Sequence, residues 1–353
     1  MRRRLPAIAL AVGLAGCASP PANSPSQATA SPSTIPSTVS PRAAASPGGP
    51  PTFALEDRMA AQVAIGGADF PIAAFGSLWV VSQDQPEPAI ARVDPATHEV
   101  IATIKVDGRG CQGMVAAFGS VWACTNSGIA RIDPATNRVI RVLDVPAVGQ
   151  TRLAAGDDSV WAIGRASAAG PANPLLRIDP RTEEAEVIPT GHAAGQMAYA
   201  FHALWVTSPA DGLLLRVDPA TGEIATAAKG LDMPYGITAG MGSLWVTLAG
   251  EPDGSTASDA VTILRLDPRT LEVQGQIAAG PMSTIGEVAV GDDGIWVRNA
   301  TTFLVRYDPE TYEPMEIIEA AKGGGAVLLA YDAVWATSYN FNTLWRFDPE
   351  PGG

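Results

Sequence analysis

Seven times along these 353 residues a Trp is followed, after a loop of varying length, by Arg-x-Asp-Pro, and this self-similarity limits the possible folds more than any single residue does. The Trp are Trp79, Trp122, Trp161, Trp205, Trp245, Trp296 and Trp335; the answering turns begin at Asp94, Asp133, Asp179, Asp218, Asp267, Asp308 and Asp348. A period of about 40 residues is the length of a four-stranded propeller blade. The chain is therefore predicted to be all-β, a seven-bladed β-propeller with four antiparallel strands per blade.

Each repeat reads as four short strands, A to D from the ring axis outward. Around Trp205 they cover 196–200, 203–207, 213–217 and 223–228. Strand B is apolar on both faces, as in Leu204-Trp205-Val206, which suits a sheet covered on both sides by neighbouring blades. In Asp218-Pro219-Ala220-Thr221-Gly222 the carboxylate is placed to accept backbone N–H groups and Pro sets φ, so the motif turns the corner from C to D. Two residues before each Asp stands an Arg: Arg92, Arg131, Arg177, Arg216, Arg265, Arg306 and Arg346. A feature present in every blade has a task in every blade, so these are read as ties between blades rather than as a polyanion site.

The last repeat stops after strand C, and a spare strand at 59–65 precedes the first Trp. If that strand supplies the missing outer strand, the two termini close the ring and no edge is left bare. Trp345, where other repeats carry Ala, Leu or Val, is expected to pack at the closing interface.

Residues 1–16 read as an export signal, with Arg2, Arg3 and Arg4 before an apolar run too short to span as a mature helix. The run ends in Leu14-Ala15-Gly16-Cys17, which resembles the lipobox of bacterial lipoproteins, so Cys17 is expected to carry lipid. Residues 17–51 are mostly Ser, Pro, Ala and Thr with a single charge, Arg42, and read as a disordered tether. At ~3.1 Å per residue its reach is on the order of 100 Å. Residues 52–353 form the propeller. The expected location is extracytoplasmic, at a cell surface or in a periplasm, with the membrane met only through lipid.

The formal charge is −13, and loss of the signal leaves 20 basic residues against 36 acidic ones. Such a surface repels phosphate backbones, so nucleic acid is not expected as a partner. With Cys17 assigned to lipid, Cys111 and Cys124 remain in an oxidising compartment and flank a hairpin. A disulfide is predicted, two small buried thiols being the alternative.

The units Gly-Ser-Leu-Trp-Val-Thr and Leu-Leu-Arg-Val-Asp-Pro-Ala-Thr-Gly resemble the YVTN-repeat (YncE-like) propellers and the related propellers that include streptogramin B lyase, over about 58–348. The lyase resemblance implies a divalent metal, a His with acidic neighbours at one mouth of the ring, and blades with a Glu soon after the Trp. Here the four residues from each Trp contain no carboxylate. His98 is placed on a strand D, His202 on an A–B turn, and only His192 on a loop entering a strand A, so each is read as a surface residue and no metal or cofactor is expected.

In this architecture the B–C and D–A loops gather on one face around the channel. They vary, with long loops at 83–88, 164–174 and 249–260, whereas the A–B and C–D turns are short and uniform. Nine residues before each Trp lies the mouth of the inner strand, and there Arg152, Gln196 and Glu287 depart from the repeat; near them stand Asp69, Gln112 and Tyr235. Arg152 and Glu287 are candidates to hold a polar or charged ligand, with Gln112, Gln196 and Tyr235 to orient it. An Arg–Glu bridge plugging the channel is the structural alternative. Two functions stay open: a monomeric binding or scaffold module for a small molecule or an envelope protein, and a propeller-type lyase or lactone hydrolase.

Overall fold

In the computed structural model every repeat Trp lies in the middle of a strand B and is at most 2 % exposed. The structure describes residues 32–34, 49–83, 88–107, 113–145, 152–166, 172–249, 261–282, 288–320 and 323–349. Among these, seven antiparallel sheets stand in chain order: 68–105, 114–143, 153–188, 197–229, 234–280, 288–319, and 327–347 with Ala61–Ala64 as its fourth strand. We number these blades 1 to 7. Blade 4 runs Met197–Ala200, Ala203–Ser208, Leu213–Val217, Ile224–Lys229, within about a residue of the expected bounds. The innermost strands of successive blades adjoin one another all the way round. The fold is a seven-bladed propeller.

Apolar clusters lie between blades rather than within them. Trp205 of blade 4 packs with Ile237, Leu244 and Val246 of blade 5, and Trp335 of blade 7 with Leu78 and Val80 of blade 1. A blade by itself would leave both faces bare, so stacking to closure is what removes apolar area from water.

Three contacts recur from blade to blade, though not in every one. The Arg of strand C lies opposite its own Trp, and in five blades its guanidinium stacks on that indole, at 4.9 Å for Arg92 and 6.0 Å for Arg216. In blades 1 to 3 it also reaches into the next blade's C–D turn: Arg92 donates to Pro134 O (2.6 Å), Arg131 to Pro180 O (3.0 Å), and Arg177 to Pro219 O (3.1 Å), whereas Arg306 donates to Asp293 O of its own blade. Within those turns the Asp carboxylate accepts from the next two or three backbone N–H groups, as Asp218 does from Ala220 (2.9 Å) and Thr221 (3.0 Å). The fifth turn residue is left-handed in six blades, yet only Gly222 is Gly there; His98 (φ 61°) fills that place in blade 1. His98 thus belongs to the C–D turn rather than to a strand D, which begins at Val100, and its ring lies 6.0 Å from that of Trp335.

The ring closes as the repeats require. Ala61–Ala64 pairs antiparallel with Thr343–Phe347, and Trp345 is 5 % exposed, edge-on to Phe303 of blade 6 at 5.2 Å. The amino-terminal segment goes further than expected. Thr52–Ala54 adds a fifth, parallel strand to blade 6, a single helical turn follows at Leu55–Arg58, and Ser33–Thr34 adds in parallel to blade 4. The reading of 17–51 as wholly unstructured gives way at Ser33–Thr34, because an outer strand offers an unpaired row of backbone groups that an extended segment can satisfy. Apart from Pro32, the other residues of 17–48, including Cys17, lie outside the described residues, as does Cys111; Cys124 is 1 % exposed.

Candidate functional site

The loop-face mouth is built by the first residues of the seven A strands. In blade 1 the register jumps from Asp69↔Val81 to Pro71↔Val80, leaving Phe70 as an extra residue; in blade 5 it jumps from Pro234↔Leu248 to Gly236↔Thr247, leaving Tyr235. Such bulges turn a side chain away from its alternating direction. Tyr235, singled out by departure from the repeat, is thus also a point where the ladder itself departs.

Phe70 and Arg152 meet across the mouth. The guanidinium of Arg152, on blade 3, lies 5.3 Å from the ring centroid of Phe70, on blade 1. Gly113, at the matching position of the blade between them, has no side chain to stand in the way. Phe70 shares an apolar cluster with Met114 and Ala326, so blades 7, 1 and 2 give the mouth an apolar wall. Asp69 is 7 % exposed and committed to the frame: one oxygen accepts from Phe70 N (3.0 Å) and the other from Gln83 Nε2 (2.9 Å).

Gln196 and Tyr235 are joined through a residue the sequence reading passed over. Thr207 Oγ1 accepts from Gln196 N (2.9 Å) and donates to Tyr235 O (2.8 Å), tying blade 4 to blade 5. Its signal was present, since Thr recurs two residues after Trp205, Trp245 and Trp335. The side-chain oxygen of Gln196 is buried and has no hydrogen-bond partner among the described residues. Gln112 and Glu287 lie outside the described residues, as do most of the three long loops, so the Arg152–Glu287 pairing is not tested.

A second polar group on the same face was also missed. His192 Nδ1 lies 3.0 Å from Asp211 Oδ2, which accepts from Ser208 Oγ (2.7 Å) as well. The Ser208 hydroxyl, then His192, holds the Asp211 carboxyl below its ordinary range. Nineteen residues separate the pair, and only the turn from strand B to C brings Asp211 back beside the D–A loop. Among the described residues, no group of three His, Cys, Asp or Glu is placed to hold a metal ion, and no helix is long and apolar enough to cross a membrane.

The opposite face is less uniform than its turn lengths imply. Five A–B turns carry a large apolar residue in the left-handed region: Phe75, Phe118, Phe201, Met241 and Tyr331. In blade 3 the place is taken by Asp157, and two shallow grooves open beside it, of about 280 and 540 Å3, sharing Asp158 and Arg181. Arg131 and Arg177 line them but are already engaged in the ties between blades.

No family model and no curated protein matches the chain. Solved structures do resemble it. The WD40 domain of Pan2 from Neurospora crassa aligns over 85 % of this chain and 98 % of its own, at 9 % identity and a TM-score of 0.63. The computationally designed Ika8 protein aligns over 79 % of this chain and 83 % of its own, at 10 % identity and 0.53. BamB from Moraxella catarrhalis aligns over 82 % and 84 %, at 15 % identity and 0.49. The first two likenesses show the propeller architecture, and at such identities they speak of fold alone.

Proposed function

We propose that this chain is an exported, lipid-anchored propeller of the YVTN-repeat kind that binds an envelope protein or a small molecule at its loop-face mouth. The observation that carries the reading is the buried side-chain oxygen of Gln196, which has no hydrogen-bond partner among the described residues. An unsatisfied buried acceptor costs about 1–3 kcal/mol, and a donor from a ligand would recover it. The apolar wall of Phe70, Met114 and Ala326 and the cation of Arg152 favour a ligand with an apolar body and a polar, hydrogen-bond-donating end. Lipid on Cys17 and a Cys111–Cys124 disulfide belong to the same reading.

A photoreactive side chain at Tyr235, irradiated on intact cells, is expected to give discrete cross-linked products that Arg152→Ala combined with Gln196→Ala abolishes. No product, or products indifferent to the double substitution, would reject the mouth as the binding site. In the same cells Cys17→Ser is expected to move the protein from the membrane to the soluble fraction. A second reading, a lyase or lactone hydrolase, draws on the His192–Asp211 pair; lactone hydrolysis by the purified protein that His192→Ala eliminates would favour it.

A further inference from the structure

The chain docks its own extended segments on outer strands twice, and in the same way. Relative to the Arg of strand C, Ile318 in blade 6 and Ala228 in blade 4 hold matching places, opposite Leu304 and Leu214. Phe53 pairs with Ile318 and Ala54 with Glu319; Ser33 pairs with Ala228 and Thr34 with Lys229. Both additions are parallel, and both lie towards the loop-face end of strand D. In blade 6 the outward N–H of Ile317 donates to Pro51 O at 3.0 Å.

Blade 2 presents the same register with no strand against it among the described residues. Arg141 lies opposite Arg131 as Glu316 lies opposite Arg306, so Val142, Leu143 and Asp144 match Ile317, Ile318 and Glu319. Leu143 is buried like Ile318, whereas Ile140 is 54 % and Val142 37 % exposed. A β-branched outer strand with its backbone edge open is a template for a further strand. Two other edges suit this less well: in blade 3 the place of Glu319 is taken by Pro189, which has no N–H, and the outer strand of blade 5 shows no large apolar side chain to solvent.

Charge selects the occupant. Arg138 and Arg141 stand exposed on this outer strand, and among the described residues Arg141 has only the outer oxygen of Glu183, 3.4 Å away, as its ion-pair partner, with 64 % of its side chain still exposed. A parallel strand paired at Val142–Asp144 places its preceding residues alongside these two Arg. A second copy of this chain, with formal charge −13, would be repelled as it approached. We infer that the outer edge of blade 2 is a docking site for an extended segment of another protein, apolar where it pairs and carrying carboxylates just before.

The inference is independent of the mouth and can fail or hold without it. Two probe peptides spanning residues 49–55 test it, one with Pro50→Glu and Pro51→Glu, the other with Lys at both places. Against the full chain the Glu peptide is expected to bind at least about tenfold more tightly than the Lys peptide, although the net field of the protein favours the reverse. Hydrogen exchange is expected to slow at Val142–Asp144 in the complex. Arg138→Glu with Arg141→Glu is expected to invert the preference; should that variant misfold by circular dichroism, Arg141→Gln is expected to abolish it instead. Equal affinities in the native chain, protection elsewhere only, a dimer that itself protects these amides, or protection in the free chain that vanishes on deleting residues 18–48 would each overturn the proposal.

Discussion

At the scale of single residues, the structure separates side chains that repeat from those that do not. A repeat Trp needs an acceptor for its indole N–H, and in five blades finds it five residues back, as Trp79 does at Ala74 O (3.0 Å) and Trp335 at Ala330 O (3.0 Å). Trp161 and Trp296 have no such partner among the described residues, and theirs are the two blades whose A–B turns read Gly-Asp-Asp. Those turns lack the pair of left-handed residues, such as Phe75 and Gly76, that shapes the other five. Glycine is required outright at Gly128, where φ is +136° and an added Cβ would fall 1.8 Å from Leu143 O. Gly128→Ala is expected to lower stability by about 1–3 kcal/mol, measured by urea denaturation followed through Trp fluorescence.

At the scale of elements, one side chain reinforces the closure of the ring. Arg58, at the end of the short helix, pairs with Glu316 of blade 6 and donates to Asp348 O (2.8 Å) at the end of the last strand C. The side chains of Arg58 and Glu316 are only 8 % and 6 % exposed. Blade 7 takes its outer strand from Ala61–Ala64 rather than by a C–D turn, and Arg58 ties the end of its strand C to blade 6. Arg58→Ala would leave Glu316 buried and uncompensated, at a cost of about 3–5 kcal/mol. Adding Glu316→Leu is expected to restore most of the loss, read as a recovered urea midpoint. A small loss for Arg58→Ala alone would mean that strand pairing by itself closes the ring.

At the scale of the whole molecule, the turn aspartates act in concert. Backbone N–H groups hold Asp94, Asp179, Asp218, Asp267 and Asp308 below the ordinary carboxyl range, and the Thr136 hydroxyl leads the same effect at Asp133. A carboxyl whose folded value is depressed adds stability that is complete above its unfolded value, 3.8, and is lost as pH falls through the lower folded value. Thermal melts are therefore expected to keep a constant midpoint from about pH 7 to pH 5 and to fall steeply below about pH 4. A midpoint that begins to fall near neutral pH would rule out the turn aspartates as the limiting groups.

The fold was legible because a propeller writes itself into sequence as a period: every blade must bury a strand B on both faces and turn the same corner, so Trp and Arg-x-Asp-Pro recur, and the odd strand at the start answers the missing one at the end. The mouth was half legible. Counting from the Trp found Arg152, Gln196 and Tyr235, since these break a pattern, but Thr207 keeps the pattern and passed unseen. Contacts between loops left no period to read, and so the meeting of Arg152 with Phe70, His192 with Asp211, and Arg58 with Glu316 was decided by the tertiary structure. The physical reason is that local chemistry repeats with the blade, whereas the partner across a ring depends on closure, which exists only once all seven blades are in place.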